Sequence, residues 1–183
     1  AKKLNVKNED WDIYAVGGSP SQSVTHGVME LSPRKPDLVV TGINYGENLG
    51  TDVTYSGTVG AALEAAAMGI PALAVSQRLT NDEWDNFPGD IDFSVSAYFT
   101  KYFAKIMLEN SLPEDVDVLN VVVPEGATPE TPWKVTKLAR KRYYKPYVIR
   151  EGKLDEEAKI HSHALELDEI PPDSDMYTVR VEK

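Results

Sequence analysis

The chain has 183 residues, 42% of them hydrophobic and 26% charged, with a formal net charge of −10 and no cysteine. That length supports one globular domain with a core of its own. The composition excludes a disulfide framework and a thiolate metal site, the acidity argues against general nucleic-acid binding, and no apolar run approaches the roughly 20 residues of a membrane helix.

In chain order, residues 11–16 (WDIYAV) read as a strand and GGSP as its turn. From Ser21, apolar residues at 24, 28, 29 and 31 keep helical spacing behind a serine cap, and Pro33 and Pro36 end that helix. His26 lies inside it with apolar neighbours and reads as a structural histidine. Residues 37–43 (DLVVTGI) form an unalternating apolar run, the pattern of a parallel strand covered on both faces. A loop follows with Gly at 42, 46, 50 and 57 and with Asn44, Asn48, Thr51, Asp52, Thr54, Ser56 and Thr58. The next helix spans Thr58 to Met68, with Ser56 as N-cap and Gly69 as its stop. Its small residues, Gly60, Ala61, Ala62, Ala65, Ala66 and Ala67, permit close packing on a sheet.

Residues 70–76 (IPALAVS) read as a second buried strand, and 77–90 as an exposed polar loop. Between Ile91 and Leu108, the apolar positions Ile91, Val95, Tyr98, Phe99, Tyr102, Phe103 and Ile106 mark an amphipathic helix whose aromatic stripe belongs to the core. Residues 116–124 (VDVLNVVVP) give a third parallel-type strand. This alternation predicts a doubly wound, Rossmann-like α/β fold on a mostly parallel sheet. After about residue 125 the pattern turns to β-branched and aromatic alternation. It predicts an extended C-terminal β-hairpin appendage, with residues 176–183 (MYTVRVEK) beginning another strand. The expected organisation is an α/β core over 1–125 and a hairpin arm over 126–183, both parts of one domain.

Charge is uneven. Residues 134–153 hold eight basic residues (Lys134, Lys137, Arg140, Lys141, Arg142, Lys145, Arg150 and Lys153) against one acid, Glu151. Tyr143, Tyr144 and Tyr147 are interleaved and read as exposed aromatics of the kind found at interfaces. A basic, aromatic arm on an acidic body fits an anion, a base or an acidic neighbouring subunit. A solvated strand face balancing nearby acids fits equally.

The chemistry concentrates in residues 38–64, LVVTGINYGENLGTDVTYSGTVGAALE. A strand that feeds a glycine-, amide- and hydroxyl-rich loop at a helix N-terminus is one way α/β proteins hold phosphate. Backbone N–H groups approach the anion and the helix start supplies free donors. Neither the Walker lysine motif nor a GxGxxG fingerprint occurs. A plain strand-to-helix connection has the same glycine turns and N-cap serine, so spacing alone leaves both readings open. Three histidines, His26, His161 and His163, are too few for a histidine-rich zinc or copper site. His161 and His163 fall on one face of a strand without a carboxylate partner.

The wording of this run resembles the signature of the SurE (survival protein E) family of nucleotidases. There, Gly-Ile-Asn-x-Gly-x-Asn and Tyr-Ser-Gly-Thr-Val open an alanine-rich helix. GGSPSQSVTHGV at 17–28, GIPALAVS at 69–76 and LNVVVP at 119–124 resemble further family segments. The resemblance implies a metal-dependent phosphatase acting on nucleoside 5′-monophosphates, with activity extending to 3′-nucleotides and polyphosphate. It implies a divalent cation, Mg²⁺ or Mn²⁺, and Asn44 as a metal ligand. Gly46 and Asn48 would shape the anion pocket, and Ser56, Gly57 and Thr58 would bind phosphate oxygens. It also implies a homodimer or homotetramer built by exchange of β arms; the acidity and the lack of a membrane-length apolar run lead us to expect neither nucleic-acid nor membrane partners. With no cysteine and a polar start, a cytoplasmic location is expected.

The family's remaining metal ligands are two adjacent aspartates in an Asn-Asp-Asp-Gly motif and a serine. No Asp-Asp pair occurs in this sequence, and Asn8-Glu9-Asp10 is not that motif, because it precedes a strand. The catalytic residues are therefore unassigned. The chain is expected to be part of a longer protein, active as a whole and with little hydrolysis as it stands. Two other readings remain: a nucleotide- or phosphate-binding module without catalysis, and a structural or assembly domain.

Overall fold

The structure is a computed structural model that describes residues 1–5, 11–79, 91–110 and 112–182. Two short strands, β1 (Lys2–Leu4) and β2 (Ile13–Ala15), pair antiparallel in a sheet of their own. Helix α1 (Pro20–His26) continues as a π-helical turn to Leu31. Its cap is Ser19, whose side chain accepts from the Gln22 N–H while Gln22 bonds back to the Ser19 N–H. His26 is not enclosed by apolar neighbours. Its ring pairs with Glu30 one turn later at 2.7 Å, on the surface, because the apolar stripe of this helix lies on another face.

The site rests on a three-stranded parallel sheet of β3 (Val39–Tyr45), β4 (Ala72–Gln77) and β5 (Val118–Val123), in the order β3-β4-β5. Helix α2 (Gly57–Ala67) connects β3 to β4, and α3 (Ser94–Glu109) precedes β5. Strand β4 explains why the apolar runs do not alternate. Ala72 and Ala74 face Val59, Ala62 and Ala65 of α2. Leu73 and Val75 face the other way, against Met107 of α3 with Phe103 and Ala104 beside it. Both faces are covered, as the doubly wound reading requires. The alanines let α2 sit close to the sheet. On α3 the buried stripe runs through Ser96, Phe99 and Met107, whereas Tyr98 and Tyr102 remain 44% and 39% exposed. Residues 80–90, most of the expected polar loop, and Asn8-Glu9-Asp10 lie outside the described residues.

The C-terminal part contains the expected hairpin, β6 (Tyr144–Ile149) against β7 (Lys159–Ala164), antiparallel with Tyr147 opposite His161. Two expectations are corrected here. Residues 176–182 are helical, as a short α4 (Asp175–Tyr177) followed by a π-helical turn (Thr178–Glu182). Ser174 caps this helix by accepting from the Tyr177 N–H at 3.2 Å. Met176 and Val179, three apart, then bury on one face with Leu49, Ala139, Leu165 and Ile170. Cap and packing outweigh the β-branched composition. Tyr143, expected on the surface, belongs to the same cluster and is 1% exposed. The segments flanking the hairpin thus fold back onto Leu49, in the loop after β3.

Candidate functional site

Asn44 lies at the carboxyl end of β3, opposite Ser76 of β4. Its Nδ2 donates to the carbonyls of Tyr45 at 2.8 Å and Gly46 at 2.9 Å. That fixes the amide and leaves the side-chain oxygen as its ligating atom. The Gly46 N–H donates to the Gln77 carbonyl at 2.8 Å. The Asn48 N–H donates to Ser76 Oγ at 3.3 Å, and Asn120 of β5 donates to the Asn48 carbonyl at 3.0 Å. Asn48 Nδ2 is buried without a partner among the described residues. Gly42 takes φ +110°, and a Cβ there would strike the Val75 carbonyl oxygen, so only glycine lets the strand enter the loop at this point.

Helix α2 starts beside this loop. Ser56 Oγ accepts from the Val59 N–H at 3.2 Å, and the Ser56 carbonyl accepts from Gly60 at 2.8 Å. The N–H groups of Gly57 and Thr58 have no intrahelical acceptor at these first positions. They sit at the positive end of the helix dipole. Thr41 of β3 donates its hydroxyl to the Thr58 carbonyl at 2.9 Å. That bond fixes the helix start against Thr41, three residues before Asn44 in the chain. Gly46 and Asn48 are thus held to the strand ends through their backbones, while Ser56, Gly57 and Thr58 form the helix start.

Sequence reasoning assigned no role to the residues that hold this loop in place. Asp52 is buried, and its Oδ2 accepts from the Tyr143 and Tyr144 N–H groups at 3.0 and 2.7 Å. Asp175 is buried too. Its Oδ2 accepts from the Gly50 N–H at 2.7 Å, and its Oδ1 from the Ala139 and Met176 N–H groups at 2.9 Å each. The Thr51 N–H donates to the Lys141 carbonyl at 2.8 Å. Gly50 takes φ +54°, and a Cβ there would meet Met176 and the Lys141 carbonyl. Buried Glu47 faces Arg78 at 3.8 Å, and Arg78 reaches Glu125 at 3.9 Å. Burial, then the Glu47 charge, pushes the Tyr143 and Tyr144 phenols well above their ordinary range. Arg180 donates to Tyr143 Oη at 2.6 Å. Burial, then Asp52, also raises the Tyr55 phenol, and Arg142 acts against both.

The fit to a divalent cation is incomplete. Asn44 offers one hard oxygen, and Asp52 and Asp175 spend carboxylate oxygens on backbone N–H groups. Among the described residues no three His, Cys, Asp or Glu side chains gather to hold a metal. His161 and His163 do share a face, but both rings lie against Tyr147, at 5.4 and 5.8 Å between centroids.

Residues 1–145 match the family model described as Survival protein SurE. The chain belongs to the SurE family. It is 51% identical over 135 residues to the 5′-nucleotidase SurE of Methanocella arvoryzae, covering 71% of this chain and 50% of that protein. Against the 5′-nucleotidase SurE of Thermococcus kodakarensis it is 39% identical over 175 residues, covering 93% and 64%. The crystal structure of the SurE protein from Aquifex aeolicus superposes with a TM-score of 0.65 at 32% identity, covering 89% of this chain and 63% of that one. The chain thus spans about half to two thirds of the length of these SurE relatives.

Proposed function

We propose that this chain carries the phosphate cradle of a 5′-nucleotidase, a phosphomonoester hydrolase that converts nucleoside 5′-monophosphates to nucleoside and phosphate. The observation that carries the reading is the start of α2. Its first two N–H groups, those of Gly57 and Thr58, have no intrahelical acceptor and stand behind the Ser56 cap at the carboxyl end of a parallel sheet, where open α/β folds bind ligands. Relatives called 5′-nucleotidase SurE are 51% and 39% identical to the chain over the matched residues. In this reading Ser56, Gly57 and Thr58 receive the phosphate oxygens, and Gly46 and Asn48 shape the floor of the pocket.

The cofactor we propose is Mg²⁺ or Mn²⁺, the natural partner of hard oxygen ligands and phosphate. When bound, it would offset negative charge on the phosphoryl group. Asn44 would contribute one ligand, and the described residues do not complete the shell. The roles of catalytic base and nucleophile are unassigned. 3′-Nucleotides and polyphosphate are further candidate substrates on the family resemblance alone. A cytoplasmic location and a homodimer or homotetramer joined through the β6–β7 hairpin complete the reading. The exposed Val148, Ile149 and Ile160 of that hairpin are its support.

The test is phosphate release from AMP and GMP by the intact protein with Mg²⁺ or Mn²⁺, repeated in EDTA. Activity lost in EDTA and restored by the metal, with Asn44→Ala needing more metal, is the expected result. Full activity after chelation removes the metal from the proposal. A second reading, nucleotide binding without hydrolysis, is favoured by the absence of a three-residue metal cluster among the described residues. It predicts AMP binding with no phosphate release under any metal.

A further inference from the structure

The basic segment reaches the loop of its own chain. The Thr51 N–H to Lys141 carbonyl bond, the Gly50–Arg142 bridge and the Tyr143 and Tyr144 N–H bonds to Asp52 fix the backbone on both sides of Arg142. Between these anchors the Arg142 side chain turns to Tyr55, with its guanidinium carbon 5.7 Å from the ring centroid. Tyr55 directly precedes the cap residue of α2 and is 60% exposed. Other basic residues of the segment are engaged: Lys134 with Glu182, Lys145 with Glu169, and Lys141 with the Glu169 carbonyl. Among the described residues no carboxylate lies within ion-pair distance of Arg142.

We propose that Arg142 is a substrate-binding residue of the α2 site, supplying the cationic fork that the loop itself lacks. The inference rests on the phosphate-cradle reading above. The chemistry is straightforward. Residues 42–58 contain no lysine or arginine, so the loop itself offers the doubly charged phosphate only backbone, amide and hydroxyl donors. A guanidinium suits phosphate because its donors match two oxygens at once. The Tyr55 face holds the flat group in place without consuming its donors, and the backbone bonds limit the segment's freedom. Arg142 therefore lends charge to the phosphate and leaves the bond-breaking step to other groups.

The test compares wild type, Arg142→Ala and Arg142→Lys in the intact protein. Calorimetry measures binding of inorganic phosphate, and steady-state assays with AMP give KM and kcat. Loss of one charge-assisted contact should weaken phosphate binding in Arg142→Ala about tenfold and raise KM for AMP by a similar factor. The kcat should stay within about threefold, the pattern of lost uniform binding. Arg142→Lys should fall between the two, since it keeps the charge and loses the fork. Unchanged phosphate affinity in Arg142→Ala overturns the proposal. So does a variant that melts earlier yet binds phosphate as wild type does, which would make Arg142 a counter-charge to buried Asp52. A wild type that binds no phosphate overturns it as well. If wild type binds phosphate and releases none from AMP, the hydrolase reading fails, and the binding ratio still decides the role of Arg142.

Discussion

Asp175 and Asp52 look alike in burial and differ in how their oxygens are used, and that difference predicts opposite tolerance to asparagine. Both Asp175 oxygens accept backbone N–H groups: Gly50 on one side, Ala139 and Met176 on the other. Asparagine at 175 would turn an NH₂ toward at least one N–H donor. Asp52 uses only Oδ2, for Tyr143 and Tyr144, and its buried Oδ1 has no hydrogen-bond partner among the described residues. Asparagine at 52 can keep a carbonyl oxygen on both donors, leaving its one buried NH₂ group without an acceptor among the described residues. Each stranded buried donor costs about 1–3 kcal/mol. Asp175→Ala strands three donors, so with partial hydration its cost is about 4 kcal/mol, and Asp175→Asn should cost about 3. Asp52→Ala should cost about 3 kcal/mol and Asp52→Asn about 1. Against a total stability of about 5–15 kcal/mol, these differences are resolvable. The assay is urea unfolding of the intact protein followed by tryptophan fluorescence, with unchanged slopes, so that midpoints report stability. Asp175→Asn within about 1 kcal/mol of wild type, or Asp52→Asn as damaging as Asp175→Asn, would refute the donor accounting.

Gly42→Ala, forced to adopt φ +110° with its Cβ against the Val75 carbonyl oxygen, should cost about 2–4 kcal/mol or prevent folding; unfolding near the wild-type midpoint contradicts this. Ser56→Ala should lose about 1 kcal/mol of stability through its cap and also raise KM for AMP; a stability loss with KM unchanged would confine Ser56 to capping. Tyr143 and Tyr144 have folded-state pKa values raised by burial and by Glu47. Their contribution to stability is complete below the unfolded value near 10 and is lost as pH rises from there through the folded values. In an ultraviolet phenolate titration, two of the nine tyrosines should ionise only as the protein unfolds; nine ionising together in the folded state would rule this out.

The α/β core was legible because its signals are local. Unbroken apolar runs, the Ser56 cap and the Gly69 stop each state their own structure, and β4 buried on both faces confirms the rule behind the runs. The glycine- and amide-rich loop was visible as a strand-to-helix connection with its Ser56 cap, although spacing alone did not separate a phosphate cradle from a plain turn. What holds that loop was not visible. Asp52 and Asp175 act through bonds to backbone groups far along the chain, which leave no spacing pattern. Residues 176–182 misled for a related reason. Thr178, Val179 and Val181 favour a strand, whereas the Ser174 cap and the burial of Met176 and Val179 depend on a core assembled from elsewhere. Tyr143 read as surface because its neighbours are charged, and one-dimensional context does not reveal that its ring points into the Leu49 cluster.

The aspartate clamps also set an order of assembly. The Gly50–Asp175 bond closes over 125 residues and the Asp52–Tyr144 bond over 92, so both belong to the slow, non-local class of contacts. On a ribosome adding about 5–20 residues per second, roughly 6–25 s separate the synthesis of Gly50 from that of Asp175. The strands and α2 can pair in that interval, while the loop between them waits for its fastening. A nascent chain that stops at residue 136 already contains Asn44, Ser56, Gly57 and Thr58 and the Ser76, Gln77 and Asn120 partners of residues 46–48, but it lacks the Lys141, Tyr143, Tyr144 and Asp175 contacts that fasten residues 50–52.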